Sequence, residues 1–226
     1  MINKATIIRE NRKSIKIIID EKKGLVVVSP KTTSIEKINE VLEGKRSWIE
    51  KNLKKQADEK TNNIDFTSYK KTLLMGKSYL INFVTNTKKI SLDDKNVFFP
   101  ASLKEDFNKF IKKAKKWYKD IAEIVLKERL ETLSNIKNIS YKSLKIGDFK
   151  GKWGSCDSEK NIKLNWRLIM LSPELTDLVL LHELSHTIEM NHSVKFYNVL
   201  NQLMPEYKKN RLILKKHSFL LKLYRN

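Results

Sequence analysis

Three of the chain's four histidines fall inside eleven residues, as His182, His186 and His192, and Glu183 stands beside the first of them. Read on a helix, positions 182 and 186 are four apart, so both imidazoles leave one face a single turn from each other. Two neutral imidazoles so placed can share one Zn2+ at about 2.0–2.1 Å. Glu183 lies about 100° further round the helix, where its carboxylate reaches a water on the metal rather than the metal itself. The arrangement demands a helix whose opposite face is packed, and Leu181, Leu184 and Ile188 occupy that face.

A catalytic zinc site takes three protein ligands and keeps one position for water, so a third group must return from beyond the helix. His192 is well placed if the chain breaks near Asn191, a residue type that tolerates the left-handed conformation in which helices end. Glu189, one turn after His186, and Glu206, at the start of the last helix, are the alternatives. On an uninterrupted helix Glu189 would point along the axis rather than across the site. Glu183 would then accept the water's proton and pass it to a leaving amine, the general-base role in metal-assisted hydrolysis. Tyr197, Tyr207 and His217 are candidates for a second electrophile, and the sequence does not choose among them. Cys156, in Trp153-Gly154-Ser155-Cys156, reads as a small packed hydrophobe rather than a nucleophile.

The surrounding pattern predicts an α+β chain. Ser14–Asp20 and Leu25–Ser29 form a hairpin turning at Glu21–Gly24, and Thr33-Ser34-Ile35-Glu36 is a capping box before a helix to about Leu42. A second helix follows Gly44, from Lys45 to about Gln56, with Trp48, Ile49 and Leu53 on one side. Residues 57–68 read as a linker. Two more hairpins turn at Gly76-Lys77 and at Asp93-Asp94-Lys95. Ser102-Leu103-Lys104-Glu105 is a second capping box, opening a long helix to about Leu133 whose apolar stripe includes Phe110, Ala114, Trp117 and Tyr118. Residues 140–170 predict a three-stranded meander, in which Ile162, Leu164, Trp166 and Leu168 face the core and Asn161, Lys163, Asn165 and Arg167 face away. Ser172-Pro173 supplies the N-cap and first position of the histidine-bearing helix, and Ser193 starts another. The expected division is a β-rich N-terminal domain with a helical insert over 1–100 and a catalytic domain over 101–226.

Composition bounds the setting. With 226 residues, 40% of them hydrophobic, the chain can build a core without covalent staples. A single cysteine rules out an intramolecular disulfide framework, and no apolar run approaches membrane-span length. No signal-peptide core precedes Glu10, so the expectation is a cytoplasmic protein without a membrane partner. The formal charge of +20 comes overwhelmingly from lysine in a chain also rich in Asn and Ile. Weak nucleic-acid binding through that basic surface is one reading, and lysine-rich composition alone is the other. Six lysines between Lys109 and Lys119 read as a solvated helix face rather than a phosphate ridge. The sequence leaves the oligomeric state open.

Taken together, these residues resemble the YgjP-like zinc metallopeptidase family, related to SprT-like and other short zincins. The resemblance runs through the Trp48-Ile49 helix, Met75-Gly76-Lys77-Ser78-Tyr79 and Trp117-Tyr118. Its most specific block is Trp153-Gly154-Ser155-Cys156 with Leu164-Asn165-Trp166-Arg167-Leu168, leading into His182-Glu183-Leu184-Ser185-His186 and Asn191-His192-Ser193. It implies a zincin-like catalytic half, zinc on His182, His186 and His192, Glu183 as acid/base, and a peptide or protein substrate. By analogy with zincins, a strand of the meander would bind extended substrate by β-augmentation. Lys152 stands where the family usually has Arg, and Tyr197 where it has Trp. If the arginine makes a bidentate contact, lysine would weaken it. Two other functions are compatible with these residues: a nucleic-acid-associated protease acting on DNA-bound proteins, as in SprT-like relatives, and a zinc-stabilised scaffold without turnover.

Overall fold

The computed structural model describes residues 5–20, 23–61 and 70–223, of which 54–61 are described by backbone alone. The chain forms two compact units, residues 1–63 and 64–226. In the first, strand β1 (Thr6–Glu10), strand β2 (Lys16–Asp20) and strand β3 (Gly24–Pro30) make a sheet ordered β1-β3-β2. The hairpin of β2 with β3 forms as expected, although Glu21 and Lys22 of its turn lie outside the described residues. Strand β1, which pairs parallel to β3, is an addition to the expected elements. Helix α1 (Ile35–Gly44) is capped by Ser34, whose hydroxyl accepts from the Lys37 amide, one residue later than the Thr33 capping box implies. Helix α2 (Arg46–Thr61) runs further than expected, and most of the predicted linker beyond it lies outside the described residues. Leu25, Val27, Ile38, Leu42 and Ile49 form this unit's core, whereas Trp48 is exposed rather than sharing the face of Ile49.

The second unit holds strands β4 (Lys71–Leu74), β5 (Lys77–Val84), β6 (Ser91–Leu92) and β7 (Asn96–Pro100) in the order β4-β5-β7-β6. Both expected hairpins form, and β5 and β7 join them by parallel pairing. Helix α3 (Phe107–Lys137) starts at Asp106, whose carboxylate accepts from the Lys109 amide at 3.0 Å. The Ser102–Glu105 box is therefore not its cap, and Ala101–Leu103 form a short 3-10 turn instead. Leu74, Tyr79, Ile81, Val97 and Phe99 share one hydrophobic core with Phe110, Ala114 and Tyr118 of α3. A division after residue 100 would cut through that core. Of the six lysines between Lys109 and Lys119, Lys109, Lys115 and Lys116 pair with Asp106, Asp148 and Asp120.

Strands β8 (Ser143–Gly147), β9 (Gly154–Cys156) and β10 (Asn161–Asn165) are ordered β8-β10-β9, with β8 parallel to β10. This is not the meander the sequence predicts, because residues 148–153 carry the chain across to the far side of β10. The alternation also stops early. Asn165 caps a 3-10 segment, Trp166–Met170, in which every side chain is buried. Arg167, expected to face away, is fully enclosed, with Nη1 donating to Asp148 at 2.5 Å and Nε to the Leu223 carbonyl at 2.9 Å. Asn165 is also buried, and its amide donates to the carbonyls of Phe149 at 2.8 Å and Lys152 at 3.1 Å.

This 3-10 segment positions the histidine-bearing helix, α4 (Pro173–His186). The Met75 amide donates to the Ile169 carbonyl at 2.7 Å and the Gly76 amide to that of Met170 at 3.2 Å, fixing the β4–β5 turn against the approach to α4. Gly76 sits at a φ of 77°, and a Cβ there would stand 2.8 Å from the Ser172 Cα. Both the conformation and the close approach require glycine. Helices α5 (Val194–Leu203) and α6 (Tyr207–Lys216) complete the unit, and no helix is long and apolar enough to cross a membrane among the described residues.

Candidate metal centre

Helix α4 starts at the N1 proline Pro173, after Ser172, which stands at the N-cap position but whose hydroxyl makes no capping bond, and Leu178, Val179, Leu180, Leu181 and Leu184 bury its flanks. Ile188, expected on that packed side, lies beyond the helix and is 56% exposed. The helix stops at His186. The amides of Ile188 and Glu189 both turn back to the Ser185 carbonyl, and the chain reverses to Ser193, whose hydroxyl caps α5. Asn191 is not left-handed, so the reversal is made by this tight turn rather than by the expected C-cap.

The reversal brings His192 back beneath the two helical imidazoles. Its Nε2 stands 3.2 Å from Nε2 of His182 and 3.2 Å from Nε2 of His186. Those separations match the edge, about 3.3 Å, of a tetrahedron with metal–nitrogen bonds of about 2.0 Å. The three histidines are the only such group of potential ligands among the described residues, and neither Glu189 nor Glu206 belongs to it. Glu189 contributes its main chain instead, its carbonyl facing His186 Nδ1 at 3.2 Å. An Nδ1–H donated there leaves the Nε2 lone pair turned toward the other two rings. Beneath them lies Phe196, fully buried, with its ring centroid 4.4 Å from that of His186, 5.0 Å from His182 and 4.8 Å from His192.

The chemistry of this donor set suits a divalent cation. Burial, reinforced by the neighbouring His186, His192 and Arg211, pushes His182 down to about 3. Burial lowers His186 as well, against the hydrogen bond to Glu189 that favours its charged form. Both rings are therefore neutral at pH 7, the form that ligates. Glu183 is 4% exposed, and burial raises its carboxyl to about 8, partly offset by the charge of Lys152. A carboxyl so poised can take up or release a proton near neutrality.

The position of Glu183 depends on β9. Gly154 passes so close that a Cβ on it would lie 2.6 Å from Oε1 of Glu183. Asn165 holds the loop before Gly154 through Phe149 and Lys152, and its own amide donates to the Trp153 carbonyl at 2.7 Å. Beside Glu183 and His182 opens a cavity of about 220 Å³, walled by Leu178, Val179, Leu200 and Leu214 with Trp153, Tyr197, Tyr207 and Arg211.

The family model described as the YgjP-like metallopeptidase domain matches residues 13–217. The chain belongs to the YgjP-like family. Among solved structures this YgjP-like chain is similar to the metallopeptidase zymogen of Pyrococcus abyssi abylysin. That likeness has 22% identity and a TM-score of 0.37, and covers 45% of this chain and 97% of that one. No curated protein matches it.

Of the three residues suggested as a second electrophile, Tyr197 and Tyr207 line the cavity. His217 does not line it; its Nδ1 faces the Ile213 carbonyl at the end of α6. The Cys156 thiol is pushed up to about 11 by burial and by the nearby Glu183 and Asp157 carboxylates, which removes its nucleophilic form. The sequence pattern does not single out Phe196, Asn165 or Arg211. Phe196 is discoverable in principle, since it lies four positions after His192 on a helix that Ser193 announces.

Proposed function

We propose that this YgjP-like protein is a zinc-dependent metallopeptidase, with zinc held by His182, His186 and His192 and Glu183 as the general base. The supporting observation is the approach of His192 Nε2 to 3.2 Å from the Nε2 atoms of both His182 and His186, in one three-histidine cluster beside a buried carboxyl. When bound, the cation polarises the scissile carbonyl and acidifies water. The protein's own groups do the rest. Glu183, held in place by Gly154, accepts a proton from the attacking water and delivers it to the departing amine. The cavity beside it takes a substrate side chain and excludes water from one flank of the reacting bond. Tyr197 and Tyr207 are within that cavity, where a hydroxyl can donate to charge developing on the carbonyl oxygen.

The test is a digest of a peptide library by the wild type and by Glu183→Gln, with zinc measured in both. Cleavage by the wild type alone, at equal zinc content, is expected. Equal cleavage by both would remove Glu183 from the role. Zinc retained with no cleavage by either would favour a structural metal.

A further inference from the structure

The cavity beside Glu183 joins two chemistries. Its walls are the aliphatic side chains of Leu178, Val179, Leu200 and Leu214, and the one side chain of permanent positive charge that lines it is Arg211. Nη1 of Arg211 donates to the Tyr197 hydroxyl at 3.4 Å, and the guanidinium carbon lies 5.7 Å from the Tyr197 ring centroid. That ring in turn stacks on Tyr207 at 6.1 Å and 18°. The guanidinium is thus oriented by aromatic packing rather than by an anion. Arg46, Arg129 and Arg167 all have carboxylate partners; among the described residues Arg211 has none. The cation that acts on Glu183 is Lys152, so Arg211 is not balancing the base either.

We propose that Arg211 is a specificity-determining residue, receiving a substrate carboxylate next to a large apolar side chain that fills the cavity. This assignment rests on the peptidase reading of the site. A guanidinium presents a planar fork of donors that matches a carboxylate bidentately, and one held against an aromatic face loses less freedom on engaging it. His182 and Glu183 bound the same cavity, so the side chain within it belongs to a residue adjoining the reacting carbonyl. The carboxylate then comes from that residue's own chain terminus or from an acidic side chain one residue further on. The first source describes trimming of peptide ends, the second internal cleavage beside acidic residues.

The experiment measures binding rather than turnover. N-acetyl-phenylalanine, N-acetyl-phenylalanine amide and N-acetyl-phenylalanyl-glutamate α-amide, whose side-chain carboxylate is free, are titrated into the full-length protein by calorimetry. The same titrations use Arg211→Gln and, as a control of equal charge outside the cavity, Lys195→Gln. The wild type and Lys195→Gln should bind at least one carboxylate probe about tenfold more tightly than the neutral amide, and Arg211→Gln should bind all three alike. Preference for the free acid assigns the carboxylate to a chain terminus; preference for the glutamate probe assigns it to a side chain. Equal affinity for the three probes in the wild type overturns the proposal, as does an acid preference that survives in Arg211→Gln. Because no cleavage is needed, failure here leaves the peptidase reading standing. Failure of the library digest, conversely, leaves the binding result intact.

Discussion

Gly154 of β9 lies so close to Glu183 that a single added methyl group would stand 2.6 Å from the carboxylate oxygen. The strand edge therefore acts as a stop that sets where the carboxyl sits. Gly154→Ala should fold and keep its metal, since the residue has an ordinary backbone conformation, but should displace Glu183. A misplacement on the order of 1 Å costs roughly 100-fold in turnover. Peptide kinetics with parallel zinc analysis and thermal melting checks this; full activity in the variant would show that the contact is incidental.

Burying Glu183 has a cost that the metal-free protein should reveal. Its folded value is raised from 4.5 to about 8, so between those values the unfolded chain is ionised there while the folded chain still holds the proton. Stability then falls as pH rises through that window, by at most about 1.4 kcal/mol per unit. Glu183→Gln removes the penalty. In the presence of a chelator the variant should be more stable than the wild type, with a gap that widens from pH 5 to pH 8, as read by urea unfolding. A gap that is flat with pH would contradict the assignment of the strain to this carboxyl.

The sequence disclosed what depends on local spacing. His182 and His186 are four residues apart on a helix announced by Ser172-Pro173, and Ser193 marked the helix that returns His192. Non-local pairing was not legible. The parallel match of β8 with β10 depends on the route of residues 148–153, and no alternation of side chains records that route. Asn165 and Arg167 look like exposed positions of a strand. They are buried because carbonyls from Phe149, Lys152 and Leu223, distant in sequence, meet their donors. Arg211 reads as one more charge on a basic last helix until α6 brings it to the cavity.

Arg167 and Lys115 grip Asp148 at 2.5 and 2.7 Å. Partial burial by itself would raise the Asp148 carboxyl, but the hydrogen bonds from Arg167 and Lys115 hold it well below the usual carboxylate range. A folded value depressed in this way contributes stability that is complete above the unfolded value near pH 4 and lost as pH falls through the folded one. Asp148→Asn removes one carboxylate charge from beside the enclosed Arg167 and should cost about 3 kcal/mol at pH 7. Below pH 4 that deficit should shrink as the wild type loses the same pair. Urea unfolding across pH 2–7 reads both effects, and a deficit unchanged by acid would assign the loss to something other than this ion pair.

The convergence of His182, His186 and His192 is tested most directly by zinc K-edge X-ray absorption on the protein loaded with one equivalent of metal, beside His192→Ala. The wild type should show three imidazole nitrogens at about 2.0–2.1 Å and the variant two. An identical imidazole count in both, or sulfur from Cys156 in the coordination shell, would contradict the proposed centre.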